Sequence, residues 1–246
     1  MNTHGFANIL LSGPCNLACP DCIGTRVHSG VRLSNLHRWP LLSLDRFAAV
    51  LLERAIREVS LTGVDTEPML YRHQARLLRW LRAALPGVRV SLHTNGTLVT
   101  RHPDVFNLYD RATLSLPSFR PATCLAMTGN AHVLDLETIV ALSAIPLKIS
   151  TLVTRHNQGE LGEILDRCRS LGLRRMVLRK PWQSPGAFDP LPDCEPSANF
   201  AGNPVYEIDG LEVTVWDFHK ATLPCVNLFA DGTITTDYEL ARGAHV

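Results

Sequence analysis

Three cysteines, Cys15, Cys19 and Cys22, fall within eight residues in the run Gly13-Pro-Cys15-Asn-Leu-Ala-Cys19-Pro-Asp-Cys22. Soft thiolates suit an iron–sulfur cluster, and three of them at x3 and x2 spacing can wrap three corners of a cubane. The fourth iron then has no protein ligand and stays open to a substrate or cofactor. The same thiols also admit a zinc site with a fourth ligand such as His28, although the triplet follows a strand-like run rather than sitting in a small finger. Cys124, Cys168, Cys194 and Cys225 complete an odd total of seven. A secreted disulfide framework favours an even count in a shorter chain, so clustered thiols here point to metal or redox chemistry.

Such a triplet needs a scaffold, and the periodicity supplies one. Short β-rich runs alternate with amphipathic helical stretches. Strands are expected at Phe6–Ser12, Glu58–Gly63, Val88–Thr94, Ala112–Leu116, Leu147–Val153 and Arg175–Arg179. Helices are expected at Leu44–Arg57 with Ser43 as N-cap, at Tyr71–Leu85, at Leu134–Ala144 and at Leu161–Leu171 before Gly172. Repeated β–α units imply a parallel sheet with right-handed crossovers, and six are too few for a closed eightfold barrel. The expected fold class is therefore α/β, a partial (β/α)6 barrel over residues 1–181. Chemistry in such folds sits at the carboxyl ends of the strands, and the cysteines directly follow the first. Residues 182–204, rich in Pro, Gly and Ser, read as a linker. Residues 205–246, with runs at Val205–Ile208, Leu211–Val215 and Leu228–Thr235 and turn signals at Asp209-Gly210 and Asp231-Gly232, read as a small C-terminal antiparallel β extension.

Composition bounds the alternatives. The chain has 246 residues, 46% of them hydrophobic, enough for a sizeable core. Lys+Arg of 24 against Asp+Glu of 23 gives a net charge of +1, which argues against a broad nucleic-acid face. No apolar run reaches the roughly 18 residues that span a bilayer, and the amino terminus lacks a secretory pattern. The expectation is a cytoplasmic protein with neither nucleic-acid nor membrane partners.

The C-x3-C-x2-C loop after the first strand resembles that of the radical S-adenosylmethionine (SAM) enzymes. Further motifs follow in that family's order. Leu61-Thr-Gly63-Val-Asp65-Thr-Glu67-Pro68 is similar to its Gly-Gly-Glu-Pro motif with two extra residues. Gly63 would shape the backbone at the SAM amino group, and either Asp65 or Glu67 would supply the carboxylate, with Glu67 preferred. Asn95 in Thr94-Asn95-Gly96 matches the turn near the methionyl part of SAM, although Asn-Gly is also a common turn dipeptide. Ser115 and Ser118 after the fourth strand, and Ser150 and Arg155 in the Lys148–Asn157 stretch, match hydroxyl and carboxylate contacts. Leu178 and Arg179 stand where family members pack adenine. One departure is Asp21, where many members carry an aromatic residue before the third cysteine; Ile23 or Leu178 would then take its place. The resemblance implies one [4Fe–4S] cluster held by Cys15, Cys19 and Cys22, SAM at its open iron, and reductive cleavage to a 5′-deoxyadenosyl radical that abstracts hydrogen from a peptide or small natural product. A one-electron donor such as flavodoxin or ferredoxin is the implied partner. Two other readings stay open: a different transfer from SAM, such as a 3-amino-3-carboxypropyl group, and a non-enzymatic metal-binding module.

Cys225 is a candidate hydrogen-atom donor, with a small buried hydrophobe as the plain alternative. Cys124 and Cys168 read as structural, and Cys194 and Cys225 are too few for a second four-thiolate cluster. Trp182, Trp216, Phe218 and His219 read as pocket lining or core. The basic run Arg174, Arg175, Arg179 and Lys180 reads as a solvated rim, with an anionic substrate as its other meaning.

Overall fold

The computed structural model describes residues 5–26, 33–182 and 184–236. Six strands run parallel in chain order: β1 (Phe6–Leu11), β2 (Glu58–Gly63), β3 (Arg89–Thr94), β4 (Arg111–Ser115), β5 (Leu147–Leu152) and β6 (Arg175–Arg179). The helices between them are α1 (Leu44–Glu53), α2 (Gln74–Ala84), α3 (Pro103–Phe106), α4 (Pro121–Thr128), α5 (Leu136–Leu142) and α6 (Leu161–Ser170). Alternate strand residues such as Ala7, Ile9, Leu61 and Leu92 are at most 1% exposed and pack against Phe47 and Leu51 of α1 and Leu77 and Leu81 of α2 in one continuous core. Each fully buried aliphatic side chain contributes about 1.5–3 kcal/mol. The intervening residues, among them Asn8, Ser60, Ser91 and Thr113, are polar and line the concave face. The sheet stays open, which makes it a partial barrel.

Two local expectations need correction. Ser43 does not cap α1 through its side chain, because it sits in the left-handed region at φ 58°. Asp45 in the first turn complements the helix dipole there instead. The helix also ends at Glu53 rather than Arg57, since Ala55 turns the chain toward β2 with φ 54°.

The last third of the chain joins the sheet at both edges. β7 (Ala198–Phe200), β8 (Asn203–Ile208) and β9 (Leu211–Trp216) form an antiparallel meander. Asp209 and Gly210, both at positive φ, make the β8–β9 turn as their types demand. β9 then pairs in parallel with β6. β10 (Cys225–Leu228) crosses to the other edge and pairs in parallel with β1, and β11 (Ile234–Thr235) pairs antiparallel with β10. The antiparallel extension therefore carries on the main sheet. β10 adopts the parallel direction because Val226 and Leu228, both 1% exposed, extend the same apolar layer beside β1. The run expected as one strand at Leu228–Thr235 is two strands around the Asp231-Gly232 turn. Among the described residues no helix is long and apolar enough to cross a membrane.

Candidate active site

The cysteine loop leaves the carboxyl end of β1 and is tied down from four directions. Asp65 accepts from the Ser12 hydroxyl at 2.8 Å and from the Gly13 amide at 3.2 Å. The Thr66 hydroxyl donates to the Pro14 carbonyl at 2.5 Å. Asn16, next to Cys15, donates to Thr97 at 2.6 Å and accepts from the Asn95 amide at 2.8 Å. The Ala18 amide donates to the Thr128 carbonyl at the end of α4, 2.9 Å away. A β-carbon on Gly129 would stand 3.1 Å from Ala18, so this approach needs a small residue. After Cys22 the chain returns against β2, where a β-carbon on Gly24 would meet the Val64 carbonyl at 2.2 Å. Loops after β2, β3 and β4 thus hold the segment that carries the thiols.

Within this brace Cys15 is exposed while Cys19 and Cys22 are half-buried, and none is in a disulfide. Burial pushes the Cys19 thiol up to about 11, and Cys22 and Cys15 add to the rise. Burial also raises Cys15. Thiols in this state bind a metal group by giving up protons to it. Among the described residues no three His, Cys, Asp or Glu side chains converge enough to hold a single ion. Tetrahedral zinc needs every sulfur about 2.3 Å from one centre, whereas a cubane spreads its thiolates over three separate irons. Three soft thiolates on one braced loop fit a [4Fe–4S] cluster. His28, weighed as a fourth zinc ligand, lies outside the described residues.

The two candidate carboxylates part company here. Glu67 is 2% exposed, and its carboxylate accepts from the Met69 amide at 3.0 Å, the Thr94 hydroxyl at 2.5 Å and the Asn95 amide at 2.7 Å. Burial raises its pKa and these three donors pull it back down, with burial the larger. Glu67 thus ties the β2 exit to the β3 exit. Asp65 is the half-buried acid at the base of the cysteine loop. Gly63 is needed for a tight turn, since a β-carbon there would fall 1.8 Å from the Thr66 carbonyl oxygen. Gly63→Ala is expected to open that turn, cost about 1–3 kcal/mol in denaturant unfolding and lower iron per chain by freeing Thr66 from Pro14.

Asn95 holds the cysteine loop through Asn16. Ser115 and Ser150 face one another across β4 and β5 on the concave side. Ser118, fully buried, donates a short hydrogen bond to Glu160 and serves packing. Arg155 is exposed on the loop after β5, Ile23 is half-buried after the third cysteine, and Asp21 is exposed. Leu178 is fully buried on the helix-facing side of β6, in the core. Cys225, the candidate hydrogen-atom donor, lies at the start of β10. It is 2% exposed and pairs with Phe6, the first residue of β1, five residues before Leu11. A strand rise of about 3.3 Å per residue puts it about 16 Å down the sheet from the cysteine loop.

The basic run divides in a way its sequence does not announce. Arg175 pairs with Glu212 at 2.9 Å, and Lys180 is buried against Asp217 at 3.1 Å and the Gly186 carbonyl at 2.8 Å. Trp182 stacks on His219 with centroids 4.5 Å apart, and Phe218 joins it to Trp216. His93 is exposed on the concave face, yet enclosure by the surrounding strands, first, and then Lys148, Arg179 and Arg111 pull it well below its ordinary value. Burial lowers Lys148 to about 8, with Arg175, Arg111 and Arg179 adding to it and Glu212 opposing. A lysine whose folded value lies below its ordinary 10.5 costs stability wherever it is charged. That cost is complete below pH 8 and disappears as pH rises toward 10.5, where the unfolded chain also loses the proton. Lys148→Met is expected to stabilise the protein at pH 7 by about 1–2 kcal/mol, allowing for solvent in the lumen. The gain should fade between pH 8 and pH 10.5 in thermal unfolding.

An open (β/α)6 sheet with a braced C-x3-C-x2-C loop at the carboxyl end of β1 is the arrangement that the structure presents. The chain is 25% identical over 222 residues to a probable GTP 3′,8-cyclase of Methanococcus maripaludis, covering 81% of this chain and 71% of that one. SuiB of Streptococcus suis shares the fold with a TM-score of 0.56 at 16% identity, over 76% of this chain and 42% of SuiB. The enzyme anSMEcpe with bound AdoMet and a peptide gives a TM-score of 0.56 at 18% identity, over 75% of this chain and 54% of that one. TsrM of Kitasatospora setae, a radical SAM methyltransferase solved with cobalamin and a [4Fe–4S] cluster, gives 0.51 at 14% identity, over 85% and 43%. The chain thus spans about half or less of these solved proteins. No family model matches it.

Proposed function

We propose that this protein is a SAM-cleaving enzyme with a single [4Fe–4S] cluster, acting on a peptide or small natural product. The observation that carries this reading is the cysteine loop, held by Asp65, Thr66, Asn95 and Thr128 at the carboxyl end of β1. When bound, the cluster and SAM supply a one-electron reductive C–S cleavage that yields methionine and a 5′-deoxyadenosyl radical. Cys15, Cys19 and Cys22 ligate three irons. The half-buried Ser115 and the lumen-facing Ser150 offer hydroxyls to the ribose or carboxylate of SAM, and the exposed Arg155 offers a guanidinium. SuiB has been solved with a precursor peptide and anSMEcpe with bound peptides, which supports a peptide, while the name of the Methanococcus relative supports a small molecule. A flavodoxin or ferredoxin is the proposed electron source.

The test is anaerobic reconstitution with iron and sulfide, followed by dithionite and SAM. Formation of 5′-deoxyadenosine and methionine is expected. Methylthioadenosine in their place would assign a 3-amino-3-carboxypropyl transfer. A zinc-loaded form that is native and fully active would remove the proposal.

A further inference from the structure

Among the described residues, two acids of the concave face are already held, Glu58 by Arg89 and Arg111 and Glu212 by Arg175. Lys148 makes no ion pair or hydrogen bond with any described residue, and neither does the ring of His93. These two side chains stand on one level of the sheet: His93 of β3 pairs with Thr113 of β4, and Thr113 pairs with Lys148 of β5. With strands about 4.8 Å apart, the row spans about 10 Å. Arg179 on β6 faces the same side of the sheet by its pairing with Leu152. The row is rich in donors: an ammonium, a threonine hydroxyl and a neutral imidazole N–H. Of the three, Thr113 is 8% exposed, Lys148 is half-buried and His93 is exposed on the concave face.

We infer that the His93–Thr113–Lys148 row is an anion subsite and that the substrate of the site proposed above is a phosphorylated small molecule. The row suits a phosphate better than a carboxylate. A phosphate presents three acceptor oxygens in a pyramid to three separate donors and carries close to two charges, whereas a carboxylate presents two oxygens in a plane. The identification of the ligand as a substrate rests on the proposed function; the anion site itself stands on the lumen alone.

Inorganic pyrophosphate is the probe. It is titrated by calorimetry into the reconstituted, SAM-loaded protein, beside malonate and sodium chloride at matched ionic strength. The expected result is saturable binding of pyrophosphate that weakens roughly tenfold or more in Lys148→Met and again in Thr113→Val, with malonate at least tenfold weaker. Equal binding of malonate, or unchanged pyrophosphate binding in either variant, would overturn the inference. Thr113→Val keeps the test decisive if the lysine variant folds poorly. Substrate-free formation of 5′-deoxyadenosine by the wild type is read in parallel. Its absence alongside pyrophosphate binding sinks the SAM-cleavage reading and spares the anion site; its presence without pyrophosphate binding does the reverse.

Discussion

Substituting alanine for Cys15, Cys19 or Cys22 is expected to reduce iron from about four atoms per chain to background while the rest of the protein stays folded. The reason is local. The thiols sit on a loop whose restraints run through Asn16, Pro14 and Ala18, so removing one sulfur leaves every tether in place. Cys15 is exposed and contributes no packing to the core. The apo form of each variant should unfold within about 0.5 kcal/mol of the wild-type apo form, as surface substitutions do. Iron and sulfide analysis after anaerobic reconstitution, with circular dichroism as the fold control, checks this. Full iron content in any of the three variants would contradict the assignment of the cluster.

Glu67→Ala reverses the pattern, losing stability before chemistry. The carboxylate is buried, and its removal strands the Thr94 hydroxyl and the Asn95 and Met69 amides without an acceptor. The expected loss is about 3–5 kcal/mol in urea unfolding, because each buried donor left unsatisfied carries its own desolvation cost. Glu67→Gln keeps one acceptor oxygen and should lose roughly half as much. A direct SAM contact would behave otherwise, weakening SAM binding with stability intact. A change below about 1 kcal/mol in the alanine variant would place Glu67 in that role.

Much of the scaffold was legible because strands buried on one face announce themselves. Glu58–Gly63 and Arg175–Arg179 have the ends the pattern predicts. The helix Pro121–Thr128 was not foreseen, since its composition is apolar on nearly every side and shows no stripe. The cysteine triplet was readable from spacing alone. Its supports were not: Asn16 is an ordinary loop amide until Asn95 and Thr97 arrive beside it from 79 and 81 residues away. Which carboxylate, Asp65 or Glu67, the β3 exit claims is likewise carried by no local signal. Lys148 and Arg179 were visible as residues, but only the sheet register turns them inward together.

The pairing of β10 with β1 bears on the order in which the molecule can be built. The strand that carries the cysteine loop is synthesised well before one of its two neighbours, the segment around residue 226. Until that segment is made, β1 presents a bare row of backbone donors and acceptors along one side, the kind of surface that recruits stray strands. A nascent chain halted before Cys225 should therefore be prone to self-association, and metal loading should follow synthesis of that segment.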